Sequence, residues 1–180
     1  TWSAPAGQAL LMSLVLRGEH PLLPLAAAVA VAEACGDDAR IKWPNDVLVD
    51  GRKVAGILSE GRPQAGWAVL GIGLNVAVRL EDLPPELHAT AGTLGLRPGD
   101  VEPVLAGLLV ELDTALGLSR EALLGAYRRR DALRGRRVSW SGGSGSAAGI
   151  DAEGRLIVDL DDGGRAGLNA GEVNLTPHPR

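Results

Sequence analysis

The residues best suited to chemistry lie between Lys42 and Leu58. Lys53 leads directly into an apolar run, where its ammonium would be partly desolvated and could stabilise negative charge. Gly56 lies inside that run, and a glycine within a strand usually marks a bulge or the close approach of a ligand. A purely structural interpretation is also available, in which residues 44–46 form a turn and the lysines are solvated. Composition alone does not choose between the two.

Two glycines, Gly71 and Gly73, precede Asn75 in a second apolar run. A dinucleotide-binding loop would need a third glycine where Val76 stands and a helix after it, whereas the residues that follow are strand-like. We therefore predict two strand glycines that open room for a flat ligand, with Asn75 supplying an amide.

The other residues that could take part in chemistry are more consistent with structural roles. The segment Gly142–Ser146 is rich in glycine but lacks the Lys-Ser/Thr end of a phosphate-binding loop, so we predict a flexible loop. His20, His88 and His178 are isolated, and no Cys/His spacing predicts a metal site. The single cysteine, Cys35, lies in an apolar segment and is expected to pack rather than to react.

Composition limits the function classes. The 180 residues suit one domain with a small appendage, and 18 basic against 22 acidic residues give a net charge of −4, which argues against a surface built for nucleic acid. No apolar stretch approaches the roughly 20 residues that span a bilayer. One cysteine excludes an intrachain disulfide and favours a reducing compartment. The arginines between residues 128 and 137 form either a solvated helix end or a docking site for an acidic partner.

A hairpin, a buried strand and a helix are expected to position the chemical groups. Apolar runs between Arg40 and Glu60 flank Asp50–Gly51, which is a strong hairpin signal. The run Trp67–Val78 predicts a strand that is buried on both faces. The segment Leu22–Cys35 is nearly all Ala, Val and Leu and predicts a buried helix.

The remaining elements are expected to frame this unit. Residues 79–98 mix prolines with polar residues and predict a loop with a short helical turn. Helices are expected from Asp100 onwards and, with Ser119 as N-cap, to about Leu133. After residue 134, short β-like runs alternate with tight turns, which indicates a small β-barrel.

Three motifs together resemble the catalytic domain of biotin protein ligases. They are Lys42-Trp43-Pro44-Asn45-Asp46, Arg52-Lys53-Val54-Ala55-Gly56-Ile57-Leu58 and Gly71-Ile72-Gly73-Leu74-Asn75. Their order and spacing match, as do the apolar helix before them and the barrel after them, so the resemblance covers essentially the whole chain. It implies an α/β (α+β) fold: a mixed, mostly antiparallel sheet with helices on one side, similar to class II synthetases, and an SH3-like C-terminal β-barrel. The implied domains are residues 1–134 and 135–180.

The resemblance also implies where the chain starts within the family's sequence. Family members carry a Gly/Arg-rich loop that folds over biotin, and Thr1–Pro5 is similar to the segment that follows this loop. We therefore expect the N-terminal part with the loop to be missing from the chain.

The activity implied by the resemblance is an ATP-dependent ligation. Biotin would be activated as biotinyl-5′-AMP, with Mg²⁺ as the activating ion, and passed to a lysine of a biotin carboxyl carrier domain, for example that of acetyl-CoA carboxylase. The resemblance implies a cytoplasmic enzyme, allows a homodimer, and indicates neither nucleic acid nor membrane as a partner. Two alternatives stay open: a lipoate or octanoate ligase or transferase of the same fold, and a non-catalytic module that binds the carrier.

By similarity, Lys53 is the catalytic ammonium that reaches the biotin carboxylate and the phosphate. The other implied contacts with biotin or its adenylate are Trp2, Asn45, Asp46, Gly56, Leu58, Gly71, Gly73 and Asn75. The glycines and Leu58 would form the pocket floor, the two asparagines would contact the nucleotide end, and Trp2 would border the adenylate. Asp46 would hold the turn or assist a metal, although no residues predict a resident metal site. The segment Arg79–Thr93 is the implied adenosine-side loop, ordered on binding.

Overall fold

Five antiparallel strands form the sheet that carries the predicted chemistry. The computed structural model describes residue 2 and residues 4–62, 66–169 and 171–175. The strands are β1 (Ala9–Arg17), β2 (Arg40–Lys42), β3 (Asp46–Val49), β4 (Arg52–Arg62) and β5 (Trp67–Asn75). They lie in the order β1-β5-β4-β3-β2, and single parallel bridges join Lys53 to Ala91 and Ile41 to Asp131. The mostly antiparallel sheet that the resemblance implies is therefore confirmed.

The β3–β4 hairpin turns at the predicted residues. Asp50 has a φ of 51° and Gly51 a φ of 74°, so both lie in the left-handed region. This conformation matches the twist of a two-residue hairpin, and glycine and aspartate tolerate it best.

The helices pack against the sheet from one side. They are α1 (Leu23–Ala34), α2 (Val101–Gly117) and α3 (Arg120–Arg130), close to the predicted bounds. Helix α1 contacts β2, β3 and β4, and both α2 and α3 pack against α1. The Ser119 Oγ accepts a hydrogen bond from the Ala122 N–H, as the N-cap prediction requires. No helix among the described residues is long and apolar enough to cross a membrane.

Strand β1 was not predicted from the sequence. It pairs with β5 along its whole length, from Ala9 opposite Asn75 to Arg17 opposite Trp67. The strand is apolar on both faces, because Leu11 and Val15 are 57% and 67% exposed on the side away from the core. An apolar run of this kind lacks the period-two pattern that marks a half-buried strand.

A second five-stranded antiparallel sheet forms where the small barrel is predicted. Its strands are β6 (Arg137–Trp140), β7 (Gly143–Ile150), β8 (Leu156–Leu160), β9 (Arg165–Leu168) and β10 (Asn174–Leu175), in the order β10-β6-β7-β8-β9. The prediction of a flexible loop at Gly142–Ser146 is wrong, because most of this segment is the first half of β7. A Cβ atom at Gly145 would lie 2.7 Å from Val158 Cγ1, so close packing rather than flexibility requires glycine there.

One continuous apolar core joins the two sheets. It includes Leu133, Val138 and Leu156 together with α1. Trp43 is 2% exposed, and its Nε1–H donates to the Gly154 carbonyl at 3.1 Å. The tryptophan of the first motif therefore anchors the C-terminal sheet, while the domain division at residue 134 stays a proposal.

The arginines between residues 128 and 137 are not a uniformly solvated helix end. Arg130 is 8% exposed, forms a two-point ion pair with Glu33, and donates to the Gly36 and Ala39 carbonyls. Arg137 forms an ion pair with Asp161, which lies in the turn after β8. Part of the cluster is thus used to hold elements of the fold together.

Replacing Trp43 by Phe tests the anchor between the sheets. The substitution leaves the buried Gly154 carbonyl without its donor and creates a small cavity, so we expect a loss of about 1–3 kcal/mol in the free energy of unfolding. Trp140→Phe on half-buried β6 is the control and should cost less. Urea denaturation of both variants measures the difference, and equal losses would contradict the anchoring role.

The ion pair between Glu33 and Arg130 predicts a pH dependence of stability. The hydrogen bond from the Arg130 guanidinium lowers the pKa of Glu33 from its ordinary value of 4.5. A lowered native pKa stabilises the fold above about pH 4.5, and this stabilisation is lost as the pH falls through the native pKa. Glu33→Gln should therefore be less stable than the wild type near neutral pH, with a gap that narrows in acid. Urea unfolding of both proteins across this pH range measures the effect. A difference in the free energy of unfolding that does not change with pH would contradict the role of the ion pair.

Candidate active site

The register of the sheet lines up the predicted residues in one row. Gly56 of β4 lies directly opposite Gly73 of β5, and Gly73 lies opposite Leu11 of β1. In the other direction, Gly56 lies opposite Asp46, which lies opposite Lys42. Residues directly opposite each other in an antiparallel sheet share a face. The row therefore runs from two charged residues, over two positions without side chains, to an apolar edge.

A second row extends this glycine face. Leu58 lies opposite Gly71, which lies opposite Ser13. Together the rows form the floor of a groove of about 490 Å³, within the usual size of small-ligand sites. The predicted floor residues Gly56, Leu58, Gly71 and Gly73 all line this groove. Strand β1 also lines the groove, from Leu11 to Ser13, and this contribution was not predicted because the strand has no period-two pattern.

Trp2 lies on the two central glycines. A Cβ atom at Gly73 would be 2.6 Å from Trp2 Cδ2, and one at Gly56 would be 3.0 Å from Trp2 Cζ3. The indole thus occupies the space that side chains would otherwise fill, which explains why glycine stands at both positions.

A β-bulge brings Lys53 to the glycine face. Along a regular strand, Lys53 and Gly56 would point to opposite faces because side chains alternate. Val54 has no partner on β3 and is an extra residue in β4, which reverses the alternation beyond it. The Lys53 Nζ then lies 2.6 Å from Asp46 Oδ1 and 5.7 Å from the centre of the Trp2 ring.

Asp46 is a counter-ion in this arrangement. It pairs with Lys53, and Lys42 approaches its other oxygen at 3.8 Å. Within the part of the chain that the structure describes, no three His, Cys, Asp or Glu side chains lie close enough together to hold a metal ion. His178 lies outside the described residues.

A smaller cavity of about 160 Å³ adjoins the groove behind Trp2 and Lys53. It is lined further by Asn75, Leu83, Leu87, Thr90 and Ala91. Asn75 is 3% exposed, and its Nδ2–H donates to the Gly92 carbonyl while its Oδ1 is buried without a hydrogen-bond partner among the described residues. The cavity therefore offers one free acceptor in an otherwise largely apolar wall.

The segment Arg79–Thr93 forms the outer wall of this cavity. It contains two short 3-10 helices, Leu80–Asp82 and Pro85–Leu87. The Lys53 N–H donates to the Thr90 carbonyl and the Gly92 N–H donates to the Lys53 carbonyl, both at 2.8 Å. The wall is thus tied to the backbone of Lys53, and its ordering on ligand binding stays a prediction.

Asn45 is placed differently from Asn75. It lines the larger groove, and its Nδ2–H donates to the Ile57 carbonyl at 2.9 Å. Only Asn75 of the two predicted asparagines lines the smaller cavity.

Cys35 takes no part in either cavity. Burial raises the pKa of its thiol to about 12, so the thiolate that would act as a nucleophile is disfavoured. The expectation of a packing role agrees with this environment.

Two known protein families match different parts of the chain. Residues 1–76 match the biotin/lipoate A/B protein ligase family, and residues 141–175 match the biotin protein ligase C terminal domain. A biotin--[acetyl-CoA-carboxylase] ligase of Mycobacterium tuberculosis is 35% identical over 195 residues, which cover 96% of this chain and 71% of the relative. The chain belongs to the biotin protein ligase family. Its second sheet lies where the family's C-terminal domain matches.

Other members of the family are considerably longer. The bifunctional ligase/repressor BirA of Bacillus subtilis is 33% identical over 191 residues, and the match covers 90% of this chain but 57% of BirA. A biotin protein ligase from Aquifex aeolicus superposes with a TM-score of 0.81 at 26% identity, covering 94% of this chain and 83% of that structure. The chain thus spans little more than half of one relative and shares the fold of a shorter one.

Two glycines on the same face provide a matched test of the Trp2 contact. Gly73→Ala places a methyl group inside the indole, whereas the nearest atom to a Cβ at Gly71 is 3.7 Å away, an ordinary contact. With fluorinated tryptophan, ¹⁹F NMR should show a shifted Trp2 resonance in Gly73→Ala and an unshifted one in Gly71→Ala. Trp2→Phe assigns the resonance among the four tryptophans. Equal shifts in both alanine variants would disprove the contact.

Proposed function

We propose that the chain carries the catalytic centre of an ATP-dependent biotin ligase. In the proposed reaction, biotin is activated as biotinyl-5′-AMP and then transferred to a lysine of a biotin carboxyl carrier domain of a carboxylase. The observation that carries the proposal is the position of Lys53, which lines both the groove and the smaller cavity. One ammonium between two adjoining cavities suits a reaction that joins an acid to a nucleotide.

We assign the groove to biotin and the smaller cavity to the nucleotide. A ring system can lie beside the Trp2 indole over Gly71, where the floor is open, and Leu11 and Leu58, both more than half exposed, offer apolar contact there. The smaller cavity provides the free Asn75 Oδ1, which can accept a hydrogen bond from a nucleoside. Trp2 separates the two and would border the adenylate.

In the first step, a biotin carboxylate oxygen attacks the α-phosphorus of ATP. A new acyl–oxygen–phosphorus bond forms as the bond to the pyrophosphate oxygen breaks, and negative charge builds on the phosphoryl oxygens. The Lys53 ammonium would hold the carboxylate and these oxygens together and stabilise that charge. Mg²⁺ would arrive with ATP as part of the substrate and would neutralise phosphate charge.

In the second step, the amine of the carrier lysine attacks the carbonyl carbon of the mixed anhydride. The carbon–oxygen bond to AMP breaks, the amide forms, and the amine loses its proton. No covalent enzyme intermediate is required, which is consistent with the raised pKa of the Cys35 thiol.

The relatives support the choice of acid. The Mycobacterium tuberculosis relative is named a biotin--[acetyl-CoA-carboxylase] ligase. A structure of a mutant Aquifex aeolicus biotin protein ligase, 26% identical with a TM-score of 0.78, was obtained in complex with biotin. The matching family also includes lipoate ligases, so lipoate and octanoate belong in every test of the substrate. We also propose a cytoplasmic location, which the single cysteine favours, and a homodimer as an assembly that the exposed edge of β1 permits.

Replacing Lys53 by Ala tests the proposed chemistry. In the full-length protein that contains this chain, we expect single-turnover formation of biotinyl-5′-AMP to fall about 10²-fold or more, because roughly 3 kcal/mol of transition-state stabilisation is lost. The free energy of unfolding should change by no more than about 1 kcal/mol, since the side chain is 40% exposed and Lys42 stays beside Asp46. Lys53→Arg should rescue only in part, because a planar guanidinium does not replace a compact ammonium at one oxygen.

Arg17→Ala is the matched control, since Arg17 is an exposed cation at the far end of β1. It should leave adenylation unchanged. If Lys53→Ala forms biotinyl-5′-AMP within about threefold of the wild type, the role assigned to Lys53 is wrong. If the wild type activates lipoate or octanoate in preference to biotin, the assignment of biotin as the substrate is wrong. Carrier binding without ATP-dependent release of pyrophosphate would indicate a non-catalytic module.

A further inference from the structure

The two lysines of this sequence meet at one carboxylate. Lysine stands only at positions 42 and 53, and the other residues among the 18 Lys and Arg of the chain are all arginines. Lys53 Nζ lies 2.6 Å from Asp46 Oδ1, and Lys42 Nζ lies 3.8 Å from Asp46 Oδ2. Each ammonium faces its own oxygen, and the compact lysine cation is found where two cations share one carboxylate.

This cluster is partly removed from water. The Lys42 side chain is 20% exposed and that of Asp46 is 16% exposed. A half-buried carboxylate interacts with a neighbouring cation more strongly than a surface carboxylate does, and it is costly to leave without a partner. Asp46 therefore interacts with the two lysines beside it more strongly than an exposed carboxylate would.

In the proposed reaction, the ion pair between Lys53 and Asp46 must weaken. When its ammonium turns toward the α-phosphate, Asp46 loses its nearer cation and would draw the lysine back. Lys42 stays at the other oxygen, and it lines neither the groove nor the smaller cavity. A second cation at Asp46 lowers the electrostatic cost of releasing the first.

We propose that Lys42 is a positioning residue, which keeps Asp46 neutralised while the Lys53 ammonium engages the phosphate. This inference rests on the proposed function and goes beyond it, since Lys42 lines neither of the two cavities assigned to the substrates. A merely structural role would be different: as a residue four positions before Asp46, Lys42 could simply close the turn between β2 and β3. The two roles differ in whether the effect of Lys42 on the reaction depends on the Asp46 charge.

The test is a double-mutant cycle in the full-length protein, with Lys42→Met, Asp46→Asn and the double variant. Single-turnover formation of biotinyl-5′-AMP at saturating biotin and ATP gives the rate constant, and biotin affinity and thermal unfolding are measured in parallel. Lys42→Met should lower the rate constant about tenfold while biotin affinity changes less than about twofold. In the Asp46→Asn background, the same substitution should change the rate by less than about twofold, because no carboxylate charge is left to neutralise. Lys42→Arg, which keeps the charge, should restore most of the rate.

Three results would overturn this inference. The first is an unchanged rate in Lys42→Met. The second is an equal loss in the Asp46→Asn and wild-type backgrounds, which would show that Lys42 does not act through Asp46. The third is a parallel loss of rate, biotin affinity and thermal stability that Lys42→Arg does not restore, which would indicate the structural role. A wild-type protein that forms no biotinyl-5′-AMP would overturn the proposed function together with this inference, whereas the three results above leave the proposed function standing.

Discussion

The candidate site depends on one register, which places Gly56 of β4 directly opposite Gly73 of β5. Because side chains alternate along a strand, a slip of one residue would move both glycines to the helix face and bring Ile57 and Ile72 into the groove. Trp2 could then no longer lie on the sheet. The register is held from the other face, where Ile57, Ile72 and Leu74 are buried against the core. The packing of the core therefore determines the floor of the site.

The charges of the site depend on the same sheet. Asp46 lies opposite Gly56, so its carboxylate projects beside a position without a side chain, and the Lys53 side chain passes over that position within 3.2 Å of where a Cβ would stand. A side chain at residue 56 would force the ammonium aside. The same glycine that admits the indole of Trp2 thus also admits the ion pair, which couples the shape of the floor to the position of the cation.

The first motif, Lys42 to Asp46, combines two kinds of role. Asp46 holds Lys53, and Asn45 donates to the neighbouring strand at Ile57. Trp43, between Lys42 and these residues, points to the opposite side and donates to Gly154 next to the C-terminal sheet. Trp43 lies in the turn between β2 and β3, so this short motif serves the site through its strand residues and the core through its turn. The C-terminal sheet is in this way connected to the strand that presents Lys42.

The sequence by itself determined the hairpin at Asp50–Gly51, the apolar helix α1 and the residue types of the site, because turn chemistry and apolar composition act locally. The motifs also identified Lys53, Gly56 and Gly73 before any geometry was known. The tertiary structure alone decided that β1 completes the groove, since a strand that is apolar on both faces has no period-two pattern in its sequence. Only the pairing of β7 with β8 shows that Gly145 is needed for close packing rather than for flexibility. The tertiary structure also decided that Lys53 shares a face with Gly56. That placement follows from the extra residue Val54, which appears only when β4 is paired with β3, because a bulge is a property of two strands and not of one.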